Sequence, residues 1–514
     1  MKKILLLTLL LVASTWIDSP LLAQITPSEI NHAGIYKFDE ALTSTFEDIL
    51  HLRLQKAKIA IPAIKEKNPF NLLPYYIEDY IDFFHAFVDG NPKAVYGRYR
   101  EDMEERLEWL AQGDESDPYF LYTQGDIYLR WGMIYALYGD NMEAFKSIKK
   151  AAKLLEKNAE KFPTFLPNKR ALGILHTLVG SIPGEYKWGV SLVGLKGDIN
   201  QGLGELAAVI DHGKTFPNFE FNQEVQLMYG ILLLYMGNND NTAWGALNTE
   251  VMDYTKNPMA AYILASRSIK TGKSQKAMLI LQSVPEGDEY HYFGYIDILK
   301  GMTKLYRLDL DAEKDFKNFL EEYRGVNHIK EVYQKLAWVA ILQKNEGYYN
   351  QNMRLVEKKG ELNNFADRSA MNEMEHAKSG VIPNLSLLQA RLLFDGGYYD
   401  KAYNILKKCD EKSLKIEEHQ LEYTYRMARI LHLMRKNEEA LAAYTEVYEK
   451  GSKKPYYYAC SAALKMGEIW EVRKEPTKAI DAYKKCLKEK PDQYKASLHA
   501  EAKANLAALD KKKK

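Results

Sequence analysis

Residues 466–491 read MGEIWEVRKEPTKAIDAYKKCLKEKP, and this stretch decides the fold. Met466 and Gly467 fall in one helix with Trp470 a turn further on, while Ala479, Tyr483 and Cys486 fall in the next, which Pro491 closes. Small residues at Gly467 and Ala479 let two antiparallel helices approach closely, and Tyr483 fills the groove between them. The same small-then-large step recurs at Ala440 with Tyr444 and at Ala402 with Leu406. Ala428 and Ala390 stand twelve residues upstream of these pairs, which spaces the three copies by 38 and 39 residues. One hairpin cannot bury its own apolar face, so recurrence at this period predicts a stack of hairpins with an extended surface.

Further copies lie upstream. Tyr128, Trp131, Gly132 and Tyr135 fit a first helix, Gly139-Asp140-Asn141 a turn, and Ala144, Ile148 and Ala151 a second helix. A fifth hairpin runs through Ala265, Gly272, Ala277, Leu281 and Val284, and a looser sixth through Gly301, Ala312, Phe316 and Phe319. The register resembles that of the tetratricopeptide repeat superfamily, with irregular spacing that marks a degenerate array. That resemblance implies an all-α fold, a right-handed α-α superhelix of degenerate tetratricopeptide-like helical hairpins. Helical periodicity is sustained along the chain, and no alternating run is long enough to argue for a sheet. Ile35 to Ile64 reads as one long amphipathic helix broken near Pro62, and Leu72 to Val88 as an aromatic-rich helix ended by Asp89-Gly90-Asn91-Pro92.

Between Gly173 and Gly204 lie eight glycines, too many for one uninterrupted helix at about 1 kcal/mol each. The expected layout is a helix to Val179, a turn at Ser181-Ile182-Pro183-Gly184, a short helix through Trp188 and Leu192, and a turn from Gly194 to Asp198. Asp198 or Asn200 caps the helix that follows. Leu178 to Leu206, with Ser181-Ile182-Pro183, Val193-Gly194-Leu195-Lys196-Gly197-Asp198 and Gly202-Leu203, resembles the break in the tetratricopeptide repeat protein 39 and inclusion-body-clearance family. The resemblance implies an α-helical repeat protein of a family with no established catalytic site, several of whose members are described as adaptors. That family is intracellular, and its partners are not carried over to a chain with an export signal.

Lys2 and Lys3 precede the apolar run Ile4 to Ala13, followed by Ser14, Thr15, Asp18 and then Pro20-Leu21-Leu22-Ala23-Gln24. This is the layout of a secretory signal peptide over 1–23, and the run is too short to span a bilayer. No cysteine precedes Cys409, so a lipid anchor at the cleavage site is not expected. The expected compartment is periplasmic or extracellular, with a peripheral place at the outer membrane among the options, and no membrane span after cleavage. Lysine plus arginine number 70 against 69 acidic residues, interspersed, which leaves no field to steer nucleic acid or an anionic membrane. The expected organisation is the signal peptide at 1–23, an N-terminal helical region at 24–215 with one hairpin and the glycine-rich break, a repeat array at 216–510, and a solvated basic tail at 511–514.

No chemical motif interrupts this reading. The glycine-rich segment follows a helix and lacks the ending of a phosphate-binding loop. No two of the eleven histidines lie three or four residues apart, so no metal site is expected, and Glu373, Glu375 and His376 read as a solvated helix face. No serine or cysteine has the surroundings of a nucleophile. No catalytic residue and no cofactor is therefore assigned. Cys460 lies seven residues before Gly467 and Cys486 seven after Ala479, so the two face each other across the last hairpin. A disulfide there needs Cα atoms about 4.4–6.8 Å apart where helix axes pack at about 8–10 Å, so two buried thiols are the preferred reading of this candidate pair.

Thirty-six tyrosines and seven tryptophans are the compositional outlier. Tyr456-Tyr457-Tyr458, Tyr348-Tyr349 and Tyr398-Tyr399 fall at helix starts, where they fill junctions or offer faces to peptide or sugar. The leading expectation is an exported, non-enzymatic scaffold that binds a protein or peptide partner in the cell envelope through the first helices of its repeats. Candidate partner-binding residues are Tyr128, Tyr425, Arg426, Arg429 and Lys465. The alternative is a glycan-binding component of a nutrient-uptake system, marked by an exposed aromatic platform. An enzyme would instead show a deep pit of convergent polar groups.

Overall fold

The computed structural model describes residues 34–182, 194–236 and 241–513, with side chains through Leu509. The signal peptide expected at 1–23 lies outside the described residues, as do Pro183, Gly184 and the short helix expected through Trp188 and Leu192. Among the described residues there is no strand; the extended pairings are two isolated bridges, Gly34 with Gly113 and Ile35 with Asn71.

The chain opens with a hairpin of α1 (Glu40–Leu50) and α2 (Leu54–Lys67), followed by α3 (Leu73–Asp89), α4 (Pro92–Tyr96) and α5 (Arg98–Leu110). Next come the long pair α6 (Pro118–Leu137) and α7 (Asn141–Lys161), then α8 (Leu166–Gly180), α9 (Ile199–Thr215), α10 (Asn222–Tyr235) and α11 (Asn241–Trp244). Three hairpins follow: α12 (Pro258–Lys270) with α13 (Ser274–Gln282), α14 (Tyr295–Leu305) with α15 (Ala312–Glu322), and α16 (Ile329–Leu342) with α17 (Glu346–Lys358). A single helix, α18 (Phe365–Ala377), precedes three more: α19 (Leu385–Asp395) with α20 (Tyr399–Lys408), α21 (Glu417–Leu433) with α22 (Asn437–Gly451), and α23 (Tyr458–Val472) with α24 (Pro476–Lys488). α25 (Lys495–Lys513) covers the last pair.

The hairpins share one turn. Leu52, Gly139, Gly272, Leu308, Lys344, Gly397, Arg435 and Lys474 all take left-handed backbone angles, with φ between 58 and 85°. The next N–H returns to the carbonyl five residues back, as from Glu475 to Trp470 at 2.9 Å and from Asn345 to Ala340 at 2.8 Å. This closure satisfies carbonyls that a helix end leaves open. Seven residues before the turn stands a small side chain, among them Gly132, Ala265, Ala337, Ala390, Ala428 and Gly467. A larger residue sixteen positions on packs against it: a Cβ on Gly467 would lie 2.3 Å from Tyr483 Cε1, and one on Gly132 2.7 Å from Ile148 Cδ1. The architecture is thus an all-α superhelix of degenerate tetratricopeptide-like hairpins.

One expectation needs correction, and one hairpin was not foreseen. The helix expected over Ile35 to Ile64 is two helices, broken at His51–Arg53 and not at Pro62, which sits inside α2. Leu52 is wholly buried in that turn, so its burial outweighs continuing the helix. Pro62 forfeits its bond on an exposed face, where water can satisfy the freed carbonyl. The hairpin α16–α17 escaped the sequence reading because Tyr349 stands where Ala402, Ala440 and Ala479 stand in the others.

Burial divides the apolar core into a large cluster from Tyr36 to Leu392, a small one from Leu387 to Ile430, and a third from Leu421 to Leu509. The first surrounds a polar network. Arg170, fully buried, meets Glu224 Oε1 at 2.6 Å, Tyr122 Oη at 2.9 Å and Asp126. Arg130 meets Asp126 and, at 2.7 Å, Asp79, which also accepts from Trp131 Nε1 at 3.0 Å. These bonds knit α3, α6, α8 and α10. The N-terminal block is tied to the array where His291 N–H donates to the Leu52 carbonyl at 2.7 Å and Val326 N–H to the Gly90 carbonyl at 3.2 Å. Distant turns also touch: Gly397 has φ 85°, and a Cβ there would lie 1.7 Å from the Gly272 carbonyl oxygen, so both backbone angle and space demand glycine.

Candidate functional site

From α16 onward, first helices pack on first helices: α16 touches α18 and α19, α19 touches α21, α21 touches α23, and α23 touches α25. The second helices α17, α20, α22 and α24 share no substantial contact with one another. Helices that converge on one side and splay on the other curve the stack, with α16, α18, α19, α21 and α23 on its inner side. On that side lies a cleft of about 110 Å³ bordered by Trp338, Glu373, Arg391, Glu422, Arg426 and Tyr457.

Its polar groups are organised around two arginines and one tryptophan. Glu373 on α18 accepts from Trp338 Nε1 and from Gln334 Nε2, each at 2.6 Å. The Trp338 ring carries the Lys335 ammonium at 3.9 Å and the Arg391 guanidinium at 4.5 Å from its centre. Arg391 also approaches Glu373 at 4.0 Å and Asp395 at 3.9 Å. Arg426 donates to Glu422 at 2.6 Å, and His376 meets Glu418 at 2.7 Å. Burial opposes the charge on Arg426, but Glu422, with Tyr457 and Tyr458, holds its guanidinium above the usual range. Burial and the neighbouring Arg426 oppose the charge on Arg391, and Glu373 and Asp395 outweigh them. The Arg391 side chain is 31% exposed where it borders the cleft. Near Arg426 and Arg391, acidic and basic groups alternate, an arrangement suited to a peptide's amides and mixed side chains and not to a polyanion.

The structure disperses the expected residues. Arg426 borders the cleft. Arg429 lies one turn away, its guanidinium 4.4 Å from the Phe394 ring centre. Tyr425 is buried, bonded to Ser461 at 2.7 Å and packed on Tyr457 and Tyr458, so it holds α21 to α23. Lys465 on α23 pairs with Glu468 and approaches Glu501 at 3.7 Å. Tyr128 lies in α6, does not border the cleft, and is paired with Lys150 of its own hairpin. Trp338 and Arg391 escaped the sequence reading, the first because its hairpin was not identified. Glu373 and His376, read as a solvated face, are instead bonded within the cleft; their proximity to a helix containing Trp338 was not legible without the register of α16.

In the last hairpin Cys460 and Cys486 are buried free thiols with sulfurs 3.5 Å apart.

No family model matches the chain, and no curated protein matches it. Among solved structures, a monomeric mutant of IFIT1 with Gppp-AAAA is 14% identical, with 78% of this chain and 96% of that chain covered and a TM-score of 0.29. A further IFIT1 monomeric mutant, with m7Gppp-AAAA, gives 15% identity, coverage of 79% and 84%, and a TM-score of 0.28. Yeast Tom70 gives 13% identity, coverage of 91% and 95%, and a TM-score of 0.23. At scores this low the likeness adds nothing to the repeat geometry argued above.

Proposed function

We propose that the chain is an exported, non-enzymatic scaffold that holds a protein or peptide partner in the cell envelope, with the cleft between α16, α18, α19 and α21 as the docking point. The observation that carries this reading is the pair Arg391 and Arg426 beside Trp338, on the side where first helices converge. Guanidinium forks recognise carboxylates and backbone carbonyls, and arginine and aromatic residues concentrate binding energy at protein interfaces. Export rests on the charged, apolar and polar succession of residues 2–24. No described helix is long and apolar enough to cross a membrane. The glycan reading is the weaker one, because the Trp338 ring that would stack on a sugar already carries Lys335 and Arg391.

The test is crosslinking capture from native envelopes with the tagged mature chain, beside an Arg391→Ala/Arg426→Ala variant shown to be folded by circular dichroism. A reproducible partner, captured by the parent chain and lost with the variant, supports the cleft. Equal capture by both, or binding of glycan fragments alone, overturns it.

A further inference from the structure

A second constellation lies away from the cleft, where α3 meets the segment between α13 and α14. His85 and Asp89 stand four residues apart on the last turns of α3, so both project from the same side of the helix. His291 reaches them from 202 residues further along the chain, its backbone pinned to the Leu52 carbonyl. His85 Nδ1 lies 2.9 Å from one Asp89 oxygen and His291 Nε2 2.5 Å from the other. The two imidazoles meet edge to face, with centres 4.6 Å apart and planes at 82°. Taken one per residue, the three donor atoms all lie within 4.8 Å of one another.

We infer that His85, Asp89 and His291 form a binding site for a first-row divalent transition metal of the zinc class, which staples α3 to the 283–294 segment. The donor set selects this class. Two imidazole nitrogens and one carboxylate oxygen suit zinc, cobalt or nickel, whereas calcium and magnesium require oxygen donors throughout. Three protein ligands leave a fourth position for water. Tetrahedral coordination at about 2.0–2.1 Å separates donors by about 3.3 Å, so the two imidazole–carboxylate contacts need to open by less than about 1 Å, and the donors furthest apart, within 4.8 Å, need to close by no more than about 1.5 Å. Rotation about side-chain torsions supplies that movement.

The protons can be accommodated as well. Against the ionised Asp89 carboxylate His85 Nδ1 and His291 Nε2 are the donors, so coordination through them requires each imidazole to pass that hydrogen to solvent and, as the neutral ring, to carry its one hydrogen on His85 Nε2 and His291 Nδ1, while Asp89 loses none. The Tyr99 ring stacks on the His85 imidazole, with centres 6.0 Å apart and planes at 25°, and fixes its orientation. The three side chains retain 22 to 30% exposure, enough for an ion to reach them from solvent. The competing account is a hydrogen-bonded clasp that holds no ion.

The full mature chain, stripped with chelator, is titrated with zinc against a chromophoric chelator, and with cobalt while visible absorption is followed. The expected result is one equivalent bound per chain, cobalt bands of a tetrahedral site without thiolate, and a raised melting temperature with zinc. His291→Ala should weaken binding by more than about 100-fold, beyond the 10- to 100-fold typical of losing an outer partner. His176→Ala, which removes a histidine–carboxylate contact elsewhere, between His176 Nδ1 and Glu205 at 2.6 Å, should leave affinity unchanged. If His291→Ala does not fold, His85→Gln and Asp89→Asn provide the same comparison. Absence of a stoichiometric ion, or affinity indifferent to all three substitutions, establishes the clasp and overturns the site.

Discussion

Gly467 shows how much one side chain decides. A methyl group there meets the Tyr483 ring at 2.3 Å, and neither helix can retreat without opening the core. Gly467→Ala should therefore cost about 1–3 kcal/mol, read from denaturant midpoints, while an exposed alanine substitution such as Glu449→Ala changes little. Arg170 is the polar counterpart. Arg170→Met removes the cation between Asp126 and Glu224 and should cost about 3–5 kcal/mol, because buried Glu224 loses its ion-pair partner and Asp126 keeps only the Arg130 cation. Histidine sets the pH response. His432 is lowered to about 4 by burial and by Lys465 and Arg429, and His51 to about 4 by burial and by Arg53. The unfolded chain accepts these protons near pH 6.5 and the fold refuses them until about pH 4, so stability should fall as pH drops through that window. A His51→Gln/His432→Gln variant should show a shallower loss between pH 7 and 5 in urea titrations; an unchanged slope would contradict the assignment. The small-large pairs of the core were legible at this scale, since volume is written in residue type. The pairing of Arg170 with Glu224 was not, because it joins two helices whose contact no local pattern encodes.

At the scale of elements, the shared turn is the unit of repetition. Three of its left-handed positions are filled by lysine or arginine, at Lys344, Arg435 and Lys474. A side chain at such an angle is strained by about 1–2 kcal/mol, which glycine relieves at some cost in unfolded-state entropy. Lys344→Gly, Arg435→Gly and Lys474→Gly should each raise stability by about 0.5–1 kcal/mol, additively across separate hairpins; thermal melts of the single and triple variants test this. The same fact explains what could be read beforehand. Hairpins with glycine at the turn, as at Gly139 and Gly272, announced themselves, and the three C-terminal ones were found by alanine and tyrosine spacing. The α1–α2 break was missed because Leu52 at a left-handed angle carries no turn signal in its residue type. The cleft was partly legible for a similar reason: Arg426 follows from the phase of its helix, whereas Arg391 and Trp338 become neighbours only once α18 is seen to interrupt the alternation of hairpins.

For the whole molecule, three apolar clusters in series imply that folding is not a single event. The array beyond Leu387 buries its core in the two smaller clusters, so its amides should exchange before those of α6 to α10. Hydrogen exchange followed by mass spectrometry should resolve at least two cooperative units, and one uniform opening would contradict the division. The bonds from Leu52 to His291 and from Gly90 to Val326 have a consequence of another kind. They brace the first two-thirds of the chain against itself through its backbone, whereas the array from α21 to α25 returns to α18 through side chains, Glu418 to His376 at 2.7 Å and Tyr494 to Ser369 at 3.1 Å. Under load the molecule is then a stiff base carrying a compliant arm, with the small cluster between Leu387 and Ile430 as its flexure. Tension from a bound partner would bend the chain at the cleft itself, so grip and recoil would share the same few helices.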